Sequence, residues 1–168
     1  MVKKQSKPLT PEEIDIETQR VLKKMKDEGI TLQQATGISD AFLEEMYSLA
    51  HAHYNRGNYK EALSLFQFLV GCVPTQHKFM LGLAATLHQL GDYREALRGF
   101  TLVLQIDQKN LLPVYYMADC FLRLGDEESA LPLYELMIKA GTEDPALAEL
   151  SQRSALIAEG LRTKHGAQ

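Results

Sequence analysis

Tryptophan is absent from the 168 residues, and cysteine occurs only twice, at Cys72 and Cys120. The two thiols fall in no metal-like or redox-like spacing, so each is read as a reduced, small apolar helix residue. No apolar run approaches the roughly 20 residues needed to span a bilayer. The start, Met1 to Pro8, is basic but leads into a charged helix instead of an apolar stretch, so it is not read as a secretory signal. Positive charge is in deficit as well: 18 Lys and Arg stand against 22 Asp and Glu, for a net charge of −4. That balance argues against nucleic acid or a membrane surface as a direct partner. A cytoplasmic location is expected.

Catalytic machinery is missing too. There is no Gly-rich phosphate loop, no activated Ser or Cys arrangement and no carboxylate pair in a plausible pocket. His51 and His53 resemble a metal pair on paper, but two residues on a helix are about 200° apart and face opposite ways. Within its own helix, which ends at the Gly91 hinge, His88 has no Cys, Asp or Glu one turn away to complete a ligand set. No catalytic residue, metal or cofactor is therefore expected, and the chain is not read as an enzyme.

What the chain does have is a period. Gly57-Asn58-Tyr59-Lys60-Glu61-Ala62-Leu63, Gly91-Asp92-Tyr93-Arg94-Glu95-Ala96-Leu97 and Gly125-Asp126-Glu127-Glu128-Ser129-Ala130-Leu131 recur every 34 residues. Each reads as the hinge of a helical hairpin, with Gly ending one helix in the left-handed conformation and Asn or Asp capping the next. Glu61 and Glu95 stand three residues after the cap, the spacing of a capping box. The first helix of each unit carries an apolar stripe: Met46, Leu49 and Ala50, then Met80, Leu83, Ala84 and Leu87, then Val114, Met117, Ala118 and Phe121. The second helix carries Ala62 and Phe66, Ala96 and Phe100, Ala130 and Tyr134, the small residue for a close crossing and the aromatic to fill the gap between hairpins.

This pattern resembles the tetratricopeptide repeat. It implies an all-α solenoid of three hairpins, divided as 43–76, 77–110 and 111–144. Before it lies a disordered tail, 1–9, and an N-terminal helical arm, 10–42. The arm begins at Thr10-Pro11-Glu12-Glu13, a capped helix start, and its apolar stripe is Ile14, Val21, Leu22 and Met25. Two partners stay open for that stripe: the repeats themselves, or a second copy in a dimer. After the repeats comes a C-terminal capping helix, 145–164, whose stripe Leu147, Leu150, Ser154, Ile157, Leu161 covers the last apolar face.

Stacked hairpins curve, and their first helices line the concave side. By the period, the groove-facing positions are Glu44, Tyr47, His51, Tyr54 and Asn55 in unit one. Unit two offers Lys78, Leu81, Ala85, His88 and Gln89, and unit three Leu112, Tyr115, Asp119, Leu122 and Arg123. Tyrosines and aliphatics with scattered polar handles suit an extended peptide. The same residues could instead pack against the terminal segments. A clamp for a peptide carboxylate, which needs Lys, Asn and Arg at these places, is disfavoured because Asp119 would repel the ligand.

Finer features resemble the class II chaperones of bacterial type III secretion. They are Gly37-Ile38-Ser39 before the first repeat, Tyr47-Ser48-Leu49-Ala50 with Tyr54, Gly57 and Tyr59 at the hinge, Ala62 with Phe66-Gln67, Phe79 with Leu81-Gly82-Leu83, and Ala118, Cys120 and Leu122. The resemblance implies a non-catalytic chaperone for hydrophobic translocator proteins. An N-terminal translocator segment with a Pro-x-Leu-x-x-Pro-like pattern would lie extended in the groove, against Tyr47, His51, Tyr54, Leu81, Ala85, His88, Tyr115 and Asp119. It also implies a homodimer through the N-terminal helices, and in some members a transcriptional activator as a further partner. A general repeat adaptor or co-chaperone is the alternative.

Overall fold

The computed structural model describes residues 10–166, so the tail expected at 1–9 lies outside the described residues. Every element among them is helical. The order is α1 (Pro11–Glu28), α2 (Leu32–Thr36), α3 (Asp40–Asn55), α4 (Tyr59–Cys72), α5 (His77–Gln89), α6 (Tyr93–Ile106), α7 (Leu112–Arg123), α8 (Glu127–Glu143), a 3-10 turn (Pro145–Leu147) and α9 (Ala148–Gly166). Helices α3 to α8 form three antiparallel hairpins stacked side by side, and α9 packs along α8. This is the all-α repeat solenoid expected from the period.

The hinges follow from backbone chemistry. Gly57, Gly91 and Gly125 have φ of +79°, +83° and +81°, a region that penalises any residue with a Cβ. Asp92 and Asp126 then cap the next helix, accepting from the N–H of Glu95 and of Ser129. Asn58 does not behave as expected, because its side chain makes no cap hydrogen bond. The capping box expected at Thr10 is formed: the hydroxyl accepts from the Glu13 N–H, and the Glu13 carboxylate accepts from the Thr10 N–H. A second box, Thr31 with Gln34, opens α2.

Ala62 with Phe66, Ala96 with Phe100 and Ala130 with Tyr134 are all fully buried, one pair per hairpin. The first-helix stripes are buried or half-buried with one exception. Leu49 is 43% exposed. The reason is its place in the stack: the equivalent Leu83 and Met117 each pack on the core of the preceding hairpin, and Leu49 has no preceding hairpin to meet. At the other end the cap works as expected, with Ser154, Ala158 and Leu161 buried against α8. Ion pairs from Arg162 to Glu135 and from Lys164 to Glu127 join α9 to α8, and the helix continues to Gly166.

The arm remains largely uncovered. No residue of α1 is buried, its packing is against the short α2, and Ile14 and Leu22 are 52% and 57% exposed. Ile14, Val21 and Leu22 instead line a shallow apolar groove with Leu32 of α2.

Hairpins one and two meet tightly at Gly82. A Cβ built on Gly82 would lie 2.2 Å from Cε1 of Phe66. Gly82→Ala is therefore expected to destabilise the fold by about 1–3 kcal/mol, through overpacking against the Phe66 ring. Urea denaturation followed by circular dichroism checks this, and an unchanged midpoint would mean that Phe66 can move.

Candidate peptide-binding groove

Helices α3, α5 and α7 touch in sequence, α3 with α5 and α5 with α7, which makes them the inner face of the stack. On that face lies an open cleft of about 190 Å³, lined by Tyr47, His51, Tyr54, Phe66, Lys78, Leu81, Gly82, Ala85, Leu112 and Tyr116. The cleft lies at a point where the period changes. Gly82 and Phe66 of hairpins two and one occupy the places held one period later by Tyr116 and Phe100. Tyr116 stacks on Phe100, with centroids 5.3 Å apart and planes 8° from parallel. Gly82 has no side chain, the Phe66 ring packs directly against its backbone, and the cleft opens beside the pair with Tyr116 from the next hairpin as its far wall.

The cleft is apolar, with polar groups at defined points. The Tyr47 hydroxyl lies 2.9 Å from His51 Nε2, and Lys78 Nζ sits 4.7 Å over the Tyr47 ring while donating to Glu44. Burial pushes the phenols of Tyr47, Tyr54 and Tyr116 up, so all three stay protonated donors near neutral pH. A second polar cluster closes the groove between α5 and α7. His88 Nε2 lies 2.6 Å from Asp119 Oδ2, and Arg123 Nε approaches the same oxygen at 3.5 Å. The hydrogen bond from His88 holds the Asp119 carboxyl below the usual carboxylate range, aided by the charges of His88 and Arg123 and opposed by burial.

Of the positions read from the period, Tyr47, His51, Tyr54, Lys78, Leu81, Ala85 and Leu112 meet at the cleft. Glu44 is beside it, bound to Lys78. His88 and Asp119 form the separate bridge. Tyr115 and Leu122 turn toward the core made by Ala118, Ala130, Tyr134, Ala158 and Leu161, so part of unit three's inner face packs against the C-terminal segment. Asn55 and Gln89 are exposed at the ends of α3 and α5.

Two sequence inferences change. Asp119 is not a free repulsive charge, because His88 and Arg123 engage it. His88 does have a carboxylate partner, on the neighbouring hairpin rather than one turn away. Tyr116 was missed, although its identity at the Gly82 position was the available signal. His53, aligned with Leu87 and Phe121, is half-buried, and its Nδ1 finds no hydrogen-bond partner. Burial raises the Cys120 thiol to about 12, which suits an inert core residue. Among the described residues no three His, Cys, Asp or Glu side chains gather as a metal set, and no helix is long and apolar enough to cross a membrane.

Fold and cleft together define a tetratricopeptide-repeat protein, and tetratricopeptide repeat models match residues 47–110 and 87–153. The low calcium response locus protein H of Yersinia pseudotuberculosis is 31% identical over 139 residues, covering 81% of both chains. Among solved structures, a type III secretion complex from Aeromonas hydrophila superposes with a TM-score of 0.76 at 28% identity, covering 88% of this chain and 98% of the other. The Yersinia enterocolitica type III secretion chaperone SycD, in complex with a peptide of the translocator YopD, gives 0.71 at 30% identity, covering 76% and 98%. The chain belongs to this family of class II, tetratricopeptide-repeat chaperones of type III secretion.

The Asp119 environment sets a pH dependence. A carboxyl whose folded-state pKa is depressed contributes stability that is complete above its unfolded value and is lost as pH falls through the folded one. Asp119→Asn should therefore be less stable than wild type above about pH 4, with the gap closing in stronger acid. Thermal unfolding across a pH series measures this; a gap independent of pH would show that Asp119 contributes by shape alone.

Proposed function

We propose that this protein is a cytoplasmic, non-catalytic chaperone that holds hydrophobic translocator proteins before secretion. An extended segment near the translocator N-terminus, with a Pro-x-Leu-x-x-Pro-like pattern, lies in the groove. The observation that carries the reading is the cleft at Gly82. Tyr47, Tyr54 and Tyr116 give ring faces to a proline or leucine side chain, Leu81, Ala85 and Leu112 give it aliphatic walls, and His51 and the phenols can bond its backbone. Occupancy of SycD by a translocator peptide is the parallel.

The action is physical masking. Membrane-inserting stretches aggregate or enter the wrong bilayer when unaccompanied, and holding one end of such a protein keeps it soluble and secretion-competent. No nucleotide is required, and release falls to the secretion machinery. In the proposed homodimer, the Ile14, Val21, Leu22 and Met25 stripe of α1 meets a second copy, which accounts for an apolar helix face left uncovered within one chain.

Tyr47→Ala combined with Tyr116→Ala is expected to weaken binding of a co-purified translocator segment by a few kcal/mol, as for central aromatic anchors. Calorimetric titration reads it out. Unchanged affinity would remove the cleft from the binding site, and capture of only partners without long apolar segments would favour the general adaptor. Val21→Asp with Met25→Asp should give a monomer in analytical ultracentrifugation; a dimer that persists places the interface elsewhere.

A further inference from the structure

The cleft's far wall, Tyr116, belongs to a different hairpin from its floor, so the cleft's shape depends on how hairpins two and three are joined. On the inner face, hairpins one and two are tied by the ion pair of Lys78 with Glu44. Between hairpins two and three the position of Lys78 is taken by Leu112, and no ionic tie is possible there. The polar tie is the bridge from His88 to Asp119, 2.6 Å long, with the two side chains only 13% and 17% exposed.

His88 also touches the wall itself. Its ring lies between those of Tyr116 and Tyr93, both with centroids 5.5 Å away and planes steeply inclined. Its Nδ1 is buried and finds no hydrogen-bond partner. The ring is thus held by one directional bond at Nε2, which donates to the Asp119 carboxylate, and by contact with two tyrosines. Arg123, Tyr93 and Tyr116 complete the groups around the bridge.

We infer that His88 and Asp119 are a positioning pair: their bridge sets the spacing of α5 and α7 and thereby fixes Tyr116 as the cleft wall that determines how tightly an apolar peptide side chain fits. The inference rests on the groove reading above but concerns residues outside the cleft, which act through Tyr116 and touch no ligand. It assigns a defined role to two groups that are otherwise polar and half-hidden on an apolar face. Burying an unpaired carboxylate or imidazole would be costly, so the two must be present together.

The test uses the full chain and a labelled synthetic peptide containing a Pro-x-Leu-x-x-Pro segment. His88→Phe and Asp119→Ala should each weaken binding roughly tenfold, the double variant should be no weaker than either, and His88→Gln, which can still donate to Asp119, should recover most of the loss. Additive effects, or no rescue by glutamine, would overturn the pairing. A second readout is independent of the peptide: the methyl resonances of Leu81 and Ala85, which share the cleft with Tyr116, should shift in His88→Phe and return in His88→Gln. If they stay in place, the bridge does not position the wall. If wild type fails to bind the peptide while those resonances behave as expected, the positioning role stands and the groove function falls.

Discussion

Each hairpin depends on two helices crossing where one side carries almost no side chain. Ala62, Ala96 and Ala130 supply that small side in the second helices, and an aromatic four residues on then plugs the space toward the next unit. Gly82 against Phe66 and Gly99 against Ala84 carry the same constraint between elements, with a built Cβ 2.2 Å and 2.8 Å from its neighbour. Interiors at crystal-like density leave no slack for an added methyl at such points. The hinge glycines, the caps and the cover supplied by α9 all serve to place these crossings.

The same constraint makes the candidate site. A repeat protein built from identical units would have Tyr over Phe, or Gly beside Phe, at every step. Here one of each occurs in succession, so the inner face has a hole at one junction and a tyrosine wall at the next. Family membership and an occupied relative give that hole its proposed use, and the polar groups around it are few enough that each has a distinct neighbour.

Most of the fold was legible because a 34-residue period constrains backbone, crossing and burial at once. Gly57, Gly91 and Gly125 could be assigned from spacing alone, as could the buried Ala and aromatic pairs. What escaped was whatever depends on a unit's neighbours. Leu49 occupies a core position by period but lies at the open end of the stack. Tyr115 matches Tyr47 and Leu81 by register, yet it turns to the C-terminal core while its neighbour Tyr116 reaches the cleft. His88 and Asp119 are 31 residues apart, off the period, because their bond runs between hairpins rather than along the repeat. Periodicity describes one unit well and its junctions poorly.

The central claim is that the inner cleft, not the outer face, receives the translocator. A photo-crosslinking residue placed at Lys78, on the cleft, and separately at Leu102, exposed on the second helix of hairpin two, would test it in the full chain co-produced with a cognate translocator. The account predicts a crosslink to the translocator's N-terminal segment from position 78 and none from position 102. A crosslink from 102 alone would contradict it.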